Sequence, residues 1–547
     1  MSHLSKIFQQ TPIDVKNRSG FDQSHEHILS MPVGSLVPVM CKEIVPNTEI
    51  SLGVFAEMNL PPMATDFFGR VDFEMQAFFV PGRMLFGGFE DVFTHDTGEI
   101  TPPGSRINSY MPGMQNVPVS DTVLGPGTLA DYLGIKLNGA TGATVTIPNI
   151  LPFVGYHLIW QEYYRDSRLQ KPILFKRSNQ AISANTNAVS ELPGLYGNAP
   201  TATQVLLSYD VAAATGNTNF VDGISLFSLR QRAYAKDKFT NATYEPQQGT
   251  PTVLEAALNQ QGTDALITMS DIFGLYTMDQ WKRARNISGR YGEQQMAEFG
   301  CFPESYKCDR PIYLGSVVHN IYNKSVHMVS QPSNTIAQAN NNNPFRANIG
   351  STFGVPQSVG DGSLIDSFLA TERGYLYVIA SIVPHAYYDS GSNPMFFRYR
   401  VGDFASPLLE SVGDEPIYQS ELNTNYNYFG NFSPTYQFGY TQRYSSYKWE
   451  NDRVSGLMRT GRSLEHFSLK RTFNVLTQLG SSFIEIPTTA LDEVSSTSSQ
   501  LTSTFGAYGD LFFKLHTSMP LSSYTIPTLG KLRDSHTVVV ENGGKRL

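Results

Sequence analysis

The clearest pattern along the chain is an alternation of apolar and polar residues, which is typical of half-buried strands. Residues 71–79 and residues 49–57 both alternate in this way, so one side of each strand should face a core. β-Branched and aromatic residues dominate 375–383 and predict a third strand. The inward positions of the two alternating strands are Val71, Phe73, Met75, Ala77, Phe79, Ile50, Leu52, Val54 and Ala56. The chain is therefore predicted to be mainly β.

Helical spacing is confined to segments between the predicted strands. In residues 151–168, Pro152 suits a first helical turn, and four apolar residues follow at the i, i+3, i+4, i+7 spacing of one helix face. That face consists of Tyr156, Ile159, Trp160 and Tyr163. Residues 271–299 and 464–476 are predicted to be helical as well. We expect a β scaffold with a few short helices in its connections.

Long polar stretches separate these elements at about residues 94–150, 178–222, 326–365 and 488–506. Loops longer than about 15 residues are uncommon in a compact monomer, but neighbouring subunits can order them in an assembly. Strands for one sandwich with long inserted loops predict an eight-stranded antiparallel jelly roll, a β-sandwich or barrel. Because nothing resembles a linker, residues 1–547 are predicted to form one elaborated domain, with an N-terminal arm over 1–35.

The composition indicates a protein with extensive contacts to partners. Aromatic residues make up 12% and charged residues only 16% of the chain, compared with a usual charged fraction of about 25%. A chain with so few solvating groups should bury much of its surface against other molecules. The net charge of −8 argues against coating nucleic acid with the whole surface, so any such contact must be local.

Basic residues cluster in three places that could make such a local contact. The cluster at 443–448 mixes cations with tyrosine rings, a combination that proteins use to hold phosphates and stack bases of single strands. Core aromatics flanked by extended cations would give the same pattern, so both interpretations stay open. The candidates for contact with DNA are Arg443, Tyr444, Tyr447, Lys448, Arg230, Arg232, Lys282, Arg283 and Arg285.

Motifs for catalysis, cofactors and metals are missing from the sequence. It contains no phosphate-binding Gly-Lys-Ser/Thr loop, HExxH, nucleophile elbow or CxxC pair. The run GPGTLADYLG from Gly125 imitates a dinucleotide fingerprint, but Pro126 and the lack of a βαβ pattern favour a turn before a short helix. Cys301, Cys308 and His319 are too few ligands for zinc. We therefore predict no catalytic residue, no cofactor and no metal site.

The ends and the cysteines bear on cellular location. The start, MSHLSKIFQQTP, lacks the basic and apolar regions of a signal peptide, and the best apolar run, 375–383, is stopped by Pro384. Three cysteines fit free thiols in a reducing cytoplasm better than a disulfide framework. The sequence predicts a soluble chain that is not exported.

Several segments, in order, resemble those of the major capsid proteins of microviruses, small tailless phages with circular single-stranded DNA. The segments are RSGFDQSHEHILSMPVGSLVPV from Arg18, LPFVGYHLIWQEYYRD from Leu151, SLRQRAYAKDKFTNATYEPQQG from Ser228, MDQWKRARNISGRYGEQQMAEFG from Met278, CDRPIYLG from Cys308, FGYTQRYSSYKWENDRVSG from Phe438, and LEHFSLKRTF from Leu464. The resemblance spans roughly residues 18–480. After Gly249 the chain lacks the long insertion with which gokushovirus relatives build a protrusion.

The resemblance implies a structural coat protein with a viral jelly roll and no catalytic activity. It further implies a T=1 icosahedral shell of 60 copies around a circular single-stranded DNA genome. The implied partners are a small basic DNA-binding capsid protein, a DNA pilot protein, a possible internal scaffolding protein and a host surface receptor. The chain would be assembled in the bacterial host cytoplasm and reside in the virion.

Two other classes of protein share some of these features. A β-rich glycoside hydrolase would use carboxylates such as Asp403, Glu410, Asp414 and Glu415, although they form no recognisable acid/base pair in the sequence. A lectin-like sandwich would use aromatic residues on exposed loops. The size of the purified particle separates the three classes, since only a shell protein forms megadalton assemblies.

Overall fold

The structure is a computed structural model of the 547-residue chain. It describes residues 18–60, 67–85, 89, 93, 114–121, 123–136, 143–170, 173–174, 205–208, 224–246, 310–327, 352–423, 429–473, 476–492, 494 and 506–521. Everything below refers to these residues.

Seventeen strands are present. They are β1 (Ser19–Asp22), β2 (His25–Met31), β3 (Ser35–Ile44), β4 (Thr48–Asn59), β5 (Val71–Pro81), β6 (Met114–Pro118), β7 (Thr144–Ile147), β8 (Ile173–Leu174), β9 (Val205–Ser208), β10 (Ile224–Ser225), β11 (Arg230–Gln231), β12 (Ile312–His327), β13 (Thr352–Ala370), β14 (Gly374–Pro384), β15 (Glu415–Tyr418), β16 (Gln437–Thr441) and β17 (Ala507–Met519).

The helices are few and short. The α-helices are α1 (Gly82–Leu85), α2 (Leu129–Tyr132), α3 (Leu151–Ile159), α4 (Gln419–Leu422), α5 (Ser445–Lys448) and α6 (Ser481–Ile484). A π-helical turn, Trp160–Tyr164, continues α3. The 3-10 turns are Pro394–Phe397, Val401–Asp403, Pro407–Val412, Pro434–Tyr436, Glu465–Phe467 and Gly456–Met458. Among the described helices, none has the length and apolar character needed to cross a membrane.

Ten strands join one hydrogen-bonded sheet system, in which the long strands pair antiparallel. Its order contains two runs of four: β2-β17-β4-β13, called here the first sheet, and β3-β14-β5-β12, called the second sheet. They meet because β12 pairs with β5 over residues 312–321 and with β13 over residues 322–327. Along the chain, successive members of these runs alternate between the two sheets, except that β5 is followed by β12 in the same sheet. The protein is thus mainly β and antiparallel, as predicted.

The core contains the inward side chains of both sheets. The predicted inward positions of β4 and β5 are all at most 1% exposed, which confirms the alternation inferred from the sequence. They share one apolar cluster with residues of β14 and β17, such as Val378 and Phe513. Since the cluster joins the two sheets, their packing against each other is the main source of hydrophobic stabilisation.

The second sheet is also covered on its other face. Phe78 of β5 and Tyr377 of β14 are fully buried there, in a second apolar cluster with α3. A Cβ atom on Gly155 would lie 2.3 Å from the Tyr377 hydroxyl, so glycine allows α3 to approach β14 closely. That hydroxyl donates a hydrogen bond to the Pro152 carbonyl at 2.8 Å. The covered face explains why residues 375–383 read as a continuous apolar run.

The prediction that β5 is only half buried is therefore wrong for its polar side. Asp72 is 7% exposed and lies 3.0 Å from His385. Glu74 forms an ion pair with Arg232 at 2.5 Å. Inserted segments reach this face from distant parts of the sequence, which the alternation within one strand cannot reveal.

The helix predictions had different outcomes. α3 and its π turn end at Tyr164, four residues short of the predicted end, and the predicted apolar face is buried except for Tyr163, which is half buried. The helix predicted at 464–476 is wrong. Of its described residues only Glu465–Phe467 are helical, and the residues that follow form isolated β-bridges to distant segments, for example Ser468 to Phe68. The segment 271–299 lies outside the described residues.

The predicted inserts are partly structured. Residues 94–150 contain β6, α2 and β7, and α2 follows the turn predicted from Gly125. The stretch 326–365 was predicted as a loop, but β13 occupies its end, because backbone pairing with β4 does not require apolar side chains. Residues 18–35 of the predicted arm form β1 and β2 on β17 instead. Most of 178–222 and of 488–506 lies outside the described residues, apart from β9 and 488–494.

We expect Phe73→Ala to lower the free energy of unfolding of the purified subunit by about 3–5 kcal/mol, because it removes a fully buried ring. The matched control is Phe55→Ala on the outward side of β4, where the ring is 38% exposed. It should change stability by less than about 1 kcal/mol. Urea titrations of both variants test the assignment of inward and outward positions, and equal losses would contradict it.

Candidate nucleic-acid interface

The candidates at 443–448 lie on α5 and the turn that precedes it. Tyr444 is only 5% exposed and has φ near 60°, so its ring packs inside the protein and is not available for stacking on a base. Tyr447, one turn later, is 49% exposed. The two rings pack edge to face with their centres 6.2 Å apart, and only the ring of Tyr447 is exposed enough to meet a base.

The cations of this cluster are engaged within the chain. Arg443 Nε donates to the Gly413 carbonyl at 3.1 Å, and Lys448 Nζ forms an ion pair with Glu410. The hydrogen bond and charge of Lys448 lower the pKa of the Glu410 carboxyl. These contacts hold residues 410–413 against α5. The geometry favours the alternative interpretation of aromatic packing with extended cations for this cluster.

Arg230 is 7% exposed, so its guanidinium packs inside the subunit and offers little surface to DNA. Its guanidinium lies 4.2 Å from the centre of the Trp160 ring, and its Nε donates to His157 Nδ1 at 3.1 Å. Burial lowers the pKa of Arg230 to about 10. A guanidinium is expensive to bury, and the ring and the imidazole together offset part of that cost.

The same contact fixes His157 as a neutral imidazole. Its Nε2 lies 2.9 Å from the Leu226 carbonyl and donates to it, while Nδ1 accepts from Arg230. A proton on Nδ1 would face the Arg230 N–H directly. Burial, and secondarily the charge of Arg230, hold the pKa of His157 well below 6.5. The His157–Arg230 pair links α3 to β11 without an ionised histidine.

Arg232, unlike Arg230, lines a cavity of about 600 Å³. We call it the tyrosine–arginine cavity. Its lining residues are Gln76, Tyr163, Tyr164, Arg232, Arg310, Pro311, Ile312 and Tyr313. The π turn after α3 contributes two adjacent tyrosines, and β5 and the start of β12 supply most of the rest. π-Helical turns are rare and frequently occur at functional sites.

Rings and guanidinium groups alternate around the tyrosine–arginine cavity. Arg232 lies 5.7 Å from the centre of the Tyr164 ring, and Arg310 lies 5.9 Å from that of Tyr163. The Tyr313 ring is 45% exposed. Burial raises the pKa of Tyr164, which stays protonated and donates to Gln76 Oε1 at 2.5 Å. Such a site can stack a planar base on its exposed ring, beside the guanidinium of Arg232, which is ion-paired with Glu74.

The sequence singled out several of the residues that line this cavity, but it did not predict that they lie together. Arg232 was a DNA candidate, Tyr163 lay on the predicted helix face, and Arg310 and Tyr313 belong to the CDRPIYLG segment. Only the pairing of β12 with β5 brings the segments together. Lys282, Arg283 and Arg285 lie outside the described residues. Where side chains are described, no three potential metal ligands form a group that could hold an ion.

An antiparallel β protein with long inserts is the kind of structural protein that the capsid resemblance implied, and comparisons with known proteins agree. Residues 10–529 match the family described as capsid protein (F protein). The chain is 22% identical to capsid protein VP1 of Chlamydia phage 1 and 23% identical to capsid protein VP1 of Bdellovibrio phage phiMH2K. Both alignments cover 97% of this chain and 99% of the relative.

The chain belongs to this phage capsid protein family. It is a major capsid protein of a microvirus, a structural component of the virion and not an enzyme. The family implies assembly into a shell of many copies. The glycoside hydrolase and the lectin-like sandwich, kept as alternatives from the sequence, are therefore set aside.

The His157–Arg230 pair predicts a specific dependence of stability on pH. The unfolded chain takes up a proton on His157 as the pH falls through about 6.5, whereas the folded protein does not. Stability should therefore be highest above pH 6.5, and about 1 kcal/mol should be lost from this group between pH 6.5 and 5.5. His157→Gln should remove that part of the slope. Urea titrations at both pH values measure it, and equal slopes in the two proteins would refute the neutral assignment.

Proposed function

We propose that the chain folds as one elaborated viral jelly roll, 60 copies of which close a T=1 shell around a circular single-stranded DNA genome. The strand order is the observation that supports the proposed jelly roll. Two antiparallel four-stranded sheets, between which the chain crosses at every step except the one from β5 to β12, are what a jelly roll of two Greek keys requires. The remaining strands belong to the inserts and the edges.

The sizes of the connections support the role in a shell. The inserts between β5 and β12 and between β14 and β17 are much longer than the strands themselves. In a shell, such inserts can form contacts between subunits and the outer surface that meets the host. With charged residues at 16% of the chain, assembly also removes apolar surface that a free subunit would solvate poorly.

The tyrosine–arginine cavity supports the proposal that the shell holds single-stranded DNA. Its exposed ring and nearby guanidinium groups suit a flexible strand without sequence preference. Because the chain has a net charge of −8, a small basic DNA-binding protein would help to neutralise the genome. A DNA pilot protein, an internal scaffolding protein and a host receptor complete the proposed partners. Assembly is proposed to take place in the bacterial host cytoplasm.

Shell formation can be tested directly by expressing the wild-type chain together with the other virion proteins. We expect megadalton particles in size-exclusion chromatography, and an icosahedral shell of 60 copies in cryo-electron microscopy. Omitting the scaffolding protein shows whether it is required. Subunits that remain monomeric at high concentration with all partners present would refute the shell.

DNA contact at the cavity is tested by two variants at one position. Tyr313→Ala should weaken binding of a single-stranded oligonucleotide to the purified subunit by about 1–3 kcal/mol, roughly five- to 150-fold, because a stacking ring is lost. Tyr313→Phe keeps the ring and should bind like the wild type. Fluorescence anisotropy at fixed salt concentration measures both affinities. Equal affinities for all three proteins would show that DNA does not use this ring.

A further inference from the structure

A second surface, far richer in exposed apolar groups, lies in the insert between β14 and β17. We call it the aromatic patch. Its side chains are between 49% and 91% exposed. They are Met395, Phe396, Tyr399, Val401, Phe404, Leu408, Phe429, Tyr447 and Trp449. Single exposed apolar residues are common on proteins, but such a concentration marks a contact surface.

Sequence neighbourhood, a shared cavity and a ring contact bring these side chains together. Six of them lie between residues 395 and 408. Phe396, Phe429 and Trp449 line the same cavity of about 550 Å³. Arg398 joins the two ends of the patch, since its guanidinium lies 3.9 Å from the centre of the Tyr447 ring.

The area of the aromatic patch matches that of a stable protein interface. Large side chains each present roughly 150–250 Å² when fully exposed, so nine of them at these exposures present on the order of 1,000 Å². The largest apolar patch on a typical monomer is about 300–600 Å². A standard protein interface needs about 800 Å² from each partner. The patch is too large for a free monomer surface and large enough for one side of an interface.

The backbone under the patch has little packing of its own. The 3-10 turns Pro394–Phe397 and Val401–Asp403 contain no buried residue. Fixing a residue in one conformation costs about 1–2 kcal/mol, which burial normally offsets. Arg398 holds the first turn through a 2.5 Å hydrogen bond to Ser446 Oγ. The two turns therefore lack stabilising burial within their own segment. A partner that covers them would supply it.

Charges within the patch are satisfied locally, which determines the chemistry of its partner. Asp403 Oδ2 accepts from the backbone N–H groups of Tyr399 at 3.1 Å and Arg400 at 2.9 Å. Glu410 is paired with Lys448. Arg398 and Arg400 lie over the Tyr447 and Tyr399 rings, at 3.9 Å and 4.9 Å from the ring centres, so these two cations pack on rings of the patch itself. An apolar, weakly charged surface fits better, and the chain itself, with 16% charged residues, presents such surfaces.

We propose that the aromatic patch is a contact with a second copy of this chain. The inference rests on the proposed shell and specifies which face of the subunit builds it. It also reassigns Tyr447 and Lys448, which the sequence suggested for DNA, to the interface between copies. The patch is then covered in the particle and open in the dissociated subunit.

Substituting the two most exposed residues tests this contact. Val401 and Leu408 are 91% and 90% exposed, so the double variant Val401→Asp with Leu408→Asp should leave the urea midpoint of the subunit unchanged. Its particle yield should fall at least tenfold, because two carboxylates would be buried at the contact. The matched control, Val401→Leu with Leu408→Met, keeps the surface apolar and should assemble normally. A normal particle yield from the aspartate variant overturns the proposal.

Crosslinking identifies the occupant and does not depend on the aspartate variant folding. Leu408 is replaced by the photoreactive p-benzoylphenylalanine, and particles are assembled from equal amounts of ¹⁴N- and ¹⁵N-labelled chains. We expect crosslinked peptides that combine light and heavy chains. Crosslinks only within one chain, only to DNA or another virion protein, or none between copies overturn the inference. If the wild type forms no particles, the proposed shell fails instead, so the two failures are distinguishable.

Discussion

The close packing of α3 on the second sheet is the constraint on which most of the structure depends. Gly155 brings the helix backbone against Tyr377, and the sheet is then buried on both faces. With one face against the first sheet and the other under α3, β5 and β14 have almost no contact with water. The inserted segments must then supply partners for every polar group left on β5, which they do for Asp72 and Glu74.

The same packing connects the interior to the surface. α3 begins inside the second apolar cluster, where it holds Arg230 through His157 and Trp160. It continues into a π turn at the edge of that cluster, where Tyr163 and Tyr164 pack against Phe78 at ring distances of 4.9 Å and 6.1 Å. The tyrosine–arginine cavity is therefore built on a rigid support. A candidate site in this position does not depend on a mobile loop for its geometry.

The periodicity of apolar residues correctly predicted which side chains of single strands and helices face the core. The inward positions of β4 and β5 and the face of α3 all follow from side-chain spacing within one element. The burial of Arg230 could not be predicted, because it depends on the meeting of β11 with a helix about 70 residues earlier. The aromatic patch could not be predicted either, because the sequence does not show whether an apolar residue will be covered by other parts of its own chain. The helix predicted at 464–476 was wrong for a related reason, because isolated β-bridges to distant segments outweighed helical spacing.

The position of β17 also determines when the subunit can fold. This strand lies between β2 and β4 in the first sheet, yet its residues 507–519 come about 450 positions after β4 in the chain. At about 5–20 residues per second, a ribosome needs roughly 20 to 90 seconds to translate that interval. During this time β2 and β4 lack their shared neighbour, and the first sheet cannot close. Completion of the sheet must therefore wait for the synthesis of residues 507–519, so a nascent chain that lacks them cannot offer a finished surface to its neighbours.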